Sequence, residues 1–130
     1  MKYLKGTQWM EPYVASASRL VPLHRVVNFK AFRVPLNKTI QTDGSCQPLD
    51  EKRKRMTISI RLWTSNDKRT RHAPIPLVEA LDSLAHELAH IKQWEHTPKH
   101  TRLQARIMKR FSEVAQNLGV KDMYMRNYNV

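Results

Sequence analysis

The chain has one cysteine, Cys46, in 130 residues. That excludes an internal disulfide and any cluster of zinc-binding thiolates, so a metal ion could be held only by histidines and carboxylates. Long hydrophobic runs are also missing. No stretch approaches the roughly 18 apolar residues that a membrane-spanning helix needs. The opening residues Met1-Lys2-Tyr3-Leu4-Lys5-Gly6 lack the apolar core of a secretory signal, so a cytoplasmic setting is expected. Acidic residues are scarce, 11 Asp and Glu against 23 Lys and Arg, for a formal charge of +12. Such an excess on a small chain favours a polyanion partner, DNA or RNA in the simplest case. Charge alone supplies only non-specific attraction, and the bland alternative is a basic but inert surface. Internal repeats, low-complexity segments and linkers are absent. With 41% hydrophobic and 26% charged residues, the chain reads as one ordinary globular domain spanning 1–130.

What is present is a run of readable elements. A short helix is expected around residues 11–20, with Pro12 tolerated in its first turn. Residues 21–34 carry Val26, Val27, Phe29, Phe32 and Val34 and read as a strand punctuated by Pro22 and Pro35. Residues 37–50 contain Asn37, Asp43-Gly44-Ser45 and Pro48 and read as a loop or hairpin connection. The clearest strand is 56–63, where Met56, Ile58, Ile60 and Leu62 alternate with Thr57, Ser59 and Arg61. A polar loop with Lys68, Arg69 and Arg71 follows over 64–76, closed by Pro74 and Pro76. Residues 77–94 form the clearest helix, with Leu77, Leu81, Leu84, Leu88 and Ile91 as its apolar stripe. Thr97-Pro98 breaks it. A second helix over 101–118 carries Leu103, Ile107, Phe111, Val114 and Leu118 on one face and Arg102, Arg106, Lys109 and Arg110 on the other, and stops at Gly119. Residues 121–130, with Met123, Tyr124, Met125 and Tyr128, read as a tail that packs on the body or covers the site.

The most specific signal is His86-Glu87-Leu88-Ala89-His90, an H-E-x-x-H run inside the 77–94 helix. Residues four apart share a helix face, so both imidazoles can point into one site and share a zinc ion. Glu87 lies beside them, placed to take a proton from a water on the metal, as in a zinc hydrolase of the metalloprotease type. His86, Glu87 and His90 fall off the apolar stripe. The bland alternative is two surface histidines that flank a glutamate. A catalytic zinc needs a third protein ligand. His96, six residues past His90, is favoured, because a turn over residues 95–97 could fold it back. His100 competes, and Glu95 would make a different site type. Asp82, one turn before His86, is a candidate to orient that ring, or else a solvated carboxylate. The 56–63 strand is a candidate sheet edge for an extended peptide.

The stretch Leu84-Ala85-His86-Glu87-Leu88-Ala89-His90-Ile91-Lys92-Gln93-Trp94-Glu95-His96 resembles the active-site helix of small SprT-like and YgjP-like zincins. In the YgjP-like branch a third histidine falls at the spacing of His96, usually within Asn-His-Ser, where this chain has Glu95-His96-Thr97. An aromatic usually follows four residues later, where this chain has His100. In the SprT branch the third histidine lies further on, which keeps His100 in play. Metzincins share the six-residue spacing, but their intervening glycine is Gln93 here and no later Met-turn is evident. The resemblance is specific over the motif and suggestive over 56–118. It implies an α+β fold: a minimal zincin-like domain with a small mixed sheet packed against the H-E-x-x-H helix and a second, C-terminal helix. It also implies Zn²⁺-dependent hydrolysis of a protein or peptide substrate, with His86, His90 and His96 on the metal and Glu87 as catalytic base. SprT-like proteins are associated with DNA and with cleaving proteins attached to it. The competing reading is a basic nucleic-acid-binding or structural protein with a non-catalytic zinc site, motivated by cations at 52–55, 68–71 and 99–110.

Overall fold

The strand with the strictest alternation becomes the centre of the main sheet. In a computed structural model describing residues 1–36, 42–65 and 71–120, Met56–Arg61 lies between two neighbours. Met56, Ile58 and Ile60 are fully buried on one face of it. In chain order the strands are β1 (Lys2–Tyr3), β2 (Val26–Phe32), β3 (Gly44–Pro48), β4 (Met56–Arg61), β5 (Trp63–Ser65) and β6 (His72–Pro74). Four of them form a mixed sheet in the order β1-β2-β4-β3. β1 and β4 run parallel to β2, and β3 runs antiparallel to β4, pairing Gly44 with Ile60, Cys46 with Ile58 and Pro48 with Met56. β5 and β6 pair as a separate antiparallel ribbon.

Two expectations change here. The candidate edge for a substrate is not β4, which is paired on both sides, but β3. Residues 37–50, read as a connection, contain that edge strand, and residues 64–76, read as a loop, contribute β5 and β6. Neither segment has the β-branched alternation of an independent strand. Pairing with β4 imposes extended geometry on β3, a case of tertiary context deciding strand formation. Asn37, Lys68, Arg69 and the segment 121–130 lie outside the described residues.

Three α-helices complete the α+β architecture: α1 (Glu11–Ser16), α2 (Leu77–Lys92) and α3 (Pro98–Asn117). α1 is shorter than the expected 11–20 and starts with Pro12 in its first turn. α2 packs against β3 and β4 on one side and α3 on another, and α3 also meets α1. Its stripe of Leu77, Leu81, Leu84, Leu88 and Ile91 is buried as expected, but so are Ala80, Ala85 and Ala89. These small residues let neighbours close in on the remaining faces. α2 is therefore covered on more than one side, and residues off the leucine stripe are buried too.

α2 ends at Lys92, two residues before the expected Trp94, and Gln93 already has non-helical backbone angles. α3 starts at Pro98, three residues earlier than expected. Thr97 caps it, its hydroxyl accepting from the His100 amide, and proline occupies the first turn where it removes no needed donor. α3 buries Leu103, Ile107, Phe111 and Ala115. Leu118, expected in that stripe, is 58% exposed beside Gly119, whose φ of +78° ends the helix. Tyr13 of α1 meets the Phe111 ring edge-on at 5.8 Å, joining α1 and α3 in one core. Among the described residues no helix is long and apolar enough to cross a membrane.

Candidate metal centre

The regular turn of α2 places His86 and His90 on one face, and their Nε2 atoms lie 3.1 Å apart. Each ring is oriented through its other nitrogen. His90 Nδ1 lies 2.8 Å from the carbonyl oxygen of Trp94 and 3.3 Å from that of Gln93. These carbonyls are available because α2 unwinds just there. His86 Nδ1 lies 2.9 Å from Gln104 Oε1 on α3. The Gln104 amide nitrogen donates to Asp82 Oδ1 at 3.1 Å, which fixes the amide with its oxygen toward His86. A carbonyl and an amide oxygen can only accept, so both Nδ1 atoms carry the proton. Both Nε2 atoms then bear lone pairs that face each other at 3.1 Å. That contact is repulsive unless a cation sits between them, which is the condition a metal ion satisfies.

His96 Nε2 enters the same space, 3.2 Å from His86 Nε2, from the turn between α2 and α3. His100 reaches it from the first turn of α3. His86, His90 and His100 offer ligand nitrogens all within 4.8 Å of one another, close enough to hold a metal ion. His100 is only 2% exposed, and its Nε2 lies 3.1 Å from the backbone carbonyl of His86, to which it donates. His96 is exposed. The four rings form one cluster, with His90 and His100 nearest at 4.2 Å between centroids.

Glu87 is 6% exposed and His90 8%, although both fall off the leucine stripe. A position off the leucine stripe thus does not leave His90 at the surface, because a second layer of packing covers α2 there. Burial, and secondarily the charge of Asp43, pushes the Glu87 carboxyl up to about 7. Burial, reinforced by the neighbouring histidines, pushes His90 down to about 4 against the opposing pull of the Trp94 carbonyl. His100 is lowered mainly by burial. His90 and His100 are therefore neutral imidazoles at pH 7, the form that binds metals.

Sheet edge β3 closes over the carboxylate. A methyl group built on Gly44 would lie 2.9 Å from the Ser59 carbonyl oxygen, 3.1 Å from Glu87 Oε2 and 3.2 Å from Glu87 Cγ. Only glycine lets the edge strand approach Glu87 this closely. Next to it, Cys46 has its sulfur 3.5 Å from that of Met56, and burial followed by the Glu87 charge pushes its thiol up to about 12. Cys46 is therefore a packing residue, since a nucleophile needs the thiolate. A cleft of about 270 Å³ opens beside this wall, lined by Asp43, Gly44, Asp82, Ser83, His86, Glu87 and Gln104.

Gln104, Asp43 and Gly44 were not singled out from the sequence. Gln104 was findable, because it lies four residues after His100 and so shares its α3 face. Asp43 and Gly44 have the composition of a turn, and the pairing of β3 with β4 gives them their place beside Glu87. Asp82 is joined to His86 through Gln104 and does not contact the ring itself. On the far side Arg53, at φ +55°, stacks its guanidinium 4.2 Å from the Trp94 ring, tying the 52–55 turn to the residue whose carbonyl holds His90. No family model, no curated protein and no solved structure matches this chain.

Proposed function

We propose that the protein is a zinc-dependent metallopeptidase of the zincin type, with His86, His90 and His96 as metal ligands and Glu87 as the base. One observation carries this reading: Nε2 atoms of H-E-x-x-H histidines converge at 3.1 Å with their Nδ1 atoms already committed, beside a buried carboxylate that faces a cleft. Ligands of a tetrahedral zinc ion at about 2.0–2.1 Å lie about 3.4 Å from one another. The His86–His90 and His86–His96 separations of 3.1 and 3.2 Å are near that value. His96 is taken as the third ligand on its 3.2 Å approach to His86, and His100 is its competitor: donation from His100 Nε2 to the His86 carbonyl leaves Nδ1 with a lone pair, in a group with His86 and His90 that is close enough to hold a metal ion. The same bond braces α3 against the backbone of His86.

His86, His90 and His96 would hold the zinc ion, which when bound would supply a Lewis acid for the scissile carbonyl and lower the pKa of the attacking water. The chain's own residues do the rest. The Trp94 carbonyl and Gln104 hold the two helix imidazoles in register. Glu87, raised toward neutrality by burial, accepts a proton from the attacking water and delivers it to the leaving amine. β3, unpaired on its outer side among the described residues, offers that edge to an extended peptide, with Gly44 bringing it against the base.

The same reading includes a cytoplasmic protein that works on substrates associated with DNA. The support is a band of cations along α3 and its approach. Lys92, Lys99, Arg102 and Arg106 line one cleft, and neighbouring clefts that share Arg102 or Arg106 add Arg53, Lys109 and Arg110. This band also motivates a second reading, a nucleic-acid-binding protein whose zinc is purely structural.

The deciding experiment is a Glu87→Gln variant of the zinc-loaded protein on a denatured protein substrate. Zinc content should stay at the parent level while hydrolysis falls by about 10²–10⁴-fold. Cleavage at the parent rate would overturn the assignment of the base, and parental protein that holds zinc but cleaves nothing would favour the second reading.

A further inference from the structure

The cleft beside Glu87 has a charge opposite to that of the chain. The protein carries a formal +12, yet the cleft is lined by the three carboxylates Asp43, Asp82 and Glu87 and by no Lys or Arg among the described residues. Asp43 pairs one oxygen with Arg61 at 2.7 Å, and Asp82 accepts the Gln104 amide on one oxygen, so each retains an acceptor atom. Glu87 gives an independent indication that something is to be received here. It lines the cleft, is 94% buried, and receives no hydrogen bond from any described residue. A buried carboxylate without a donor is costly unless a ligand completes it. The cleft, about 270 Å³, has room for a single extended side chain.

We infer that this cleft is a specificity subsite for a cationic side chain, lysine or arginine, flanking the bond to be cut. The inference rests on the peptidase reading and names its substrate class. A guanidinium or ammonium entering beside His86 would place its donors toward Asp82 on one wall and Asp43 on the other, with its apolar stem along Gly44. The cations of α3 make this selective: a basic segment is repelled by Arg102, Arg106, Lys109 and Arg110 and accepted in the cleft, whereas an acidic segment is attracted to those cations and repelled from the cleft.

The experiment is a digest of a peptide library, generated by a Glu-specific protease so that lysine and arginine are retained, with the zinc-loaded full chain and mass-spectrometric mapping of cut bonds. Lysine and arginine should be enriched at one fixed position next to the cut by roughly fivefold, the effect of one partly exposed ion pair. Asp82→Asn should reduce that enrichment, and Asp82→Lys should replace it with a preference for aspartate and glutamate. Asp43→Asn is the second variant, so that a folding or zinc defect in one does not decide the question. Cuts without charge preference, or a preference unchanged in the Asp82 and Asp43 variants, would overturn the subsite and leave the peptidase reading intact. No cuts by the zinc-loaded parent would remove the peptidase reading and the subsite with it.

Discussion

Helices α2 and α3 lie against each other and both carry apolar stripes, but they use their other faces differently. α3 buries one stripe, from Leu103 to Ala115, and presents Arg102, Arg106, Lys109 and Arg110 to solvent. α2 buries its stripe and also Glu87 and most of His90. A cation on an outer helix face costs the fold almost nothing, whereas a buried carboxylate and imidazole work against folding. The polar residues of α2 are therefore the ones that packing does not explain, and the pattern that looks ordinary on α3 marks a site on α2.

That contrast can be broken from the α3 side first. Phe111→Ala removes a fully buried ring from the α1–α3 contact and should lower stability by about 3–5 kcal/mol, read as a shift in the denaturant midpoint. Gln104→Ala tests the opposite kind of residue, one that serves the other helix. It should weaken zinc affinity by about 10–100-fold, measured by competition with a chelator, with little change in the stability of the metal-free protein. An unchanged affinity would show that His86 needs no partner on α3.

A pH series then sharpens the α2 side. In metal-free protein Glu87 has its pKa raised to about 7, so the folded state holds a proton that the unfolded chain releases between about 4.5 and 7. Its contribution to stability is full below about pH 4.5 and is lost as pH rises through about 7. Metal-free Glu87→Gln should therefore melt higher than the parent at pH 8, and the difference should shrink as pH falls toward 4.5. A difference that did not vary with pH would mean the carboxylate is not held in a desolvated site. The smallest effect belongs to the outer face of α3. Arg102→Gln with Arg106→Gln should change stability by less than about 0.5 kcal/mol. The pair should still lower the steepness with which salt weakens binding to a single-stranded oligonucleotide, by about 1.4 in the log–log slope if both cations meet phosphates.

Much of this was legible in the sequence because it depends on spacing within one element. A spacing of four from His86 to His90 on a helix brings two imidazoles together whatever surrounds them. The alternation from Met56 to Leu62 specifies a strand for the same reason. The approach of His96 to His86 was legible at one remove, because Thr97-Pro98 forces a break that turns the chain back, but the choice between His96 and His100 as third ligand was not, since both reach the same space. What depends on pairing between distant segments was not legible. Gly44 and Pro48 have the composition of a turn, and only the partnership of β3 with β4 makes them a strand. The burial of Glu87 was hidden likewise, since a leucine stripe tells which face of α2 meets the core but not that two layers cover it.

The contact between Gly44 and Glu87 turns the sheet edge into a ruler. A chain paired along β3 can slip by one residue only by turning every side chain to the opposite face, so equivalent placements recur every second residue, about 6.8 Å apart. In the proposed peptidase, a carboxylate fixed 3.1 Å from the place of a Cβ on Gly44 would address one peptide bond in each placement. Cuts in an unfolded segment should thus fall in phase with the alternation of its side chains, so that the reading frame along β3, as much as any single residue, decides which bond is presented.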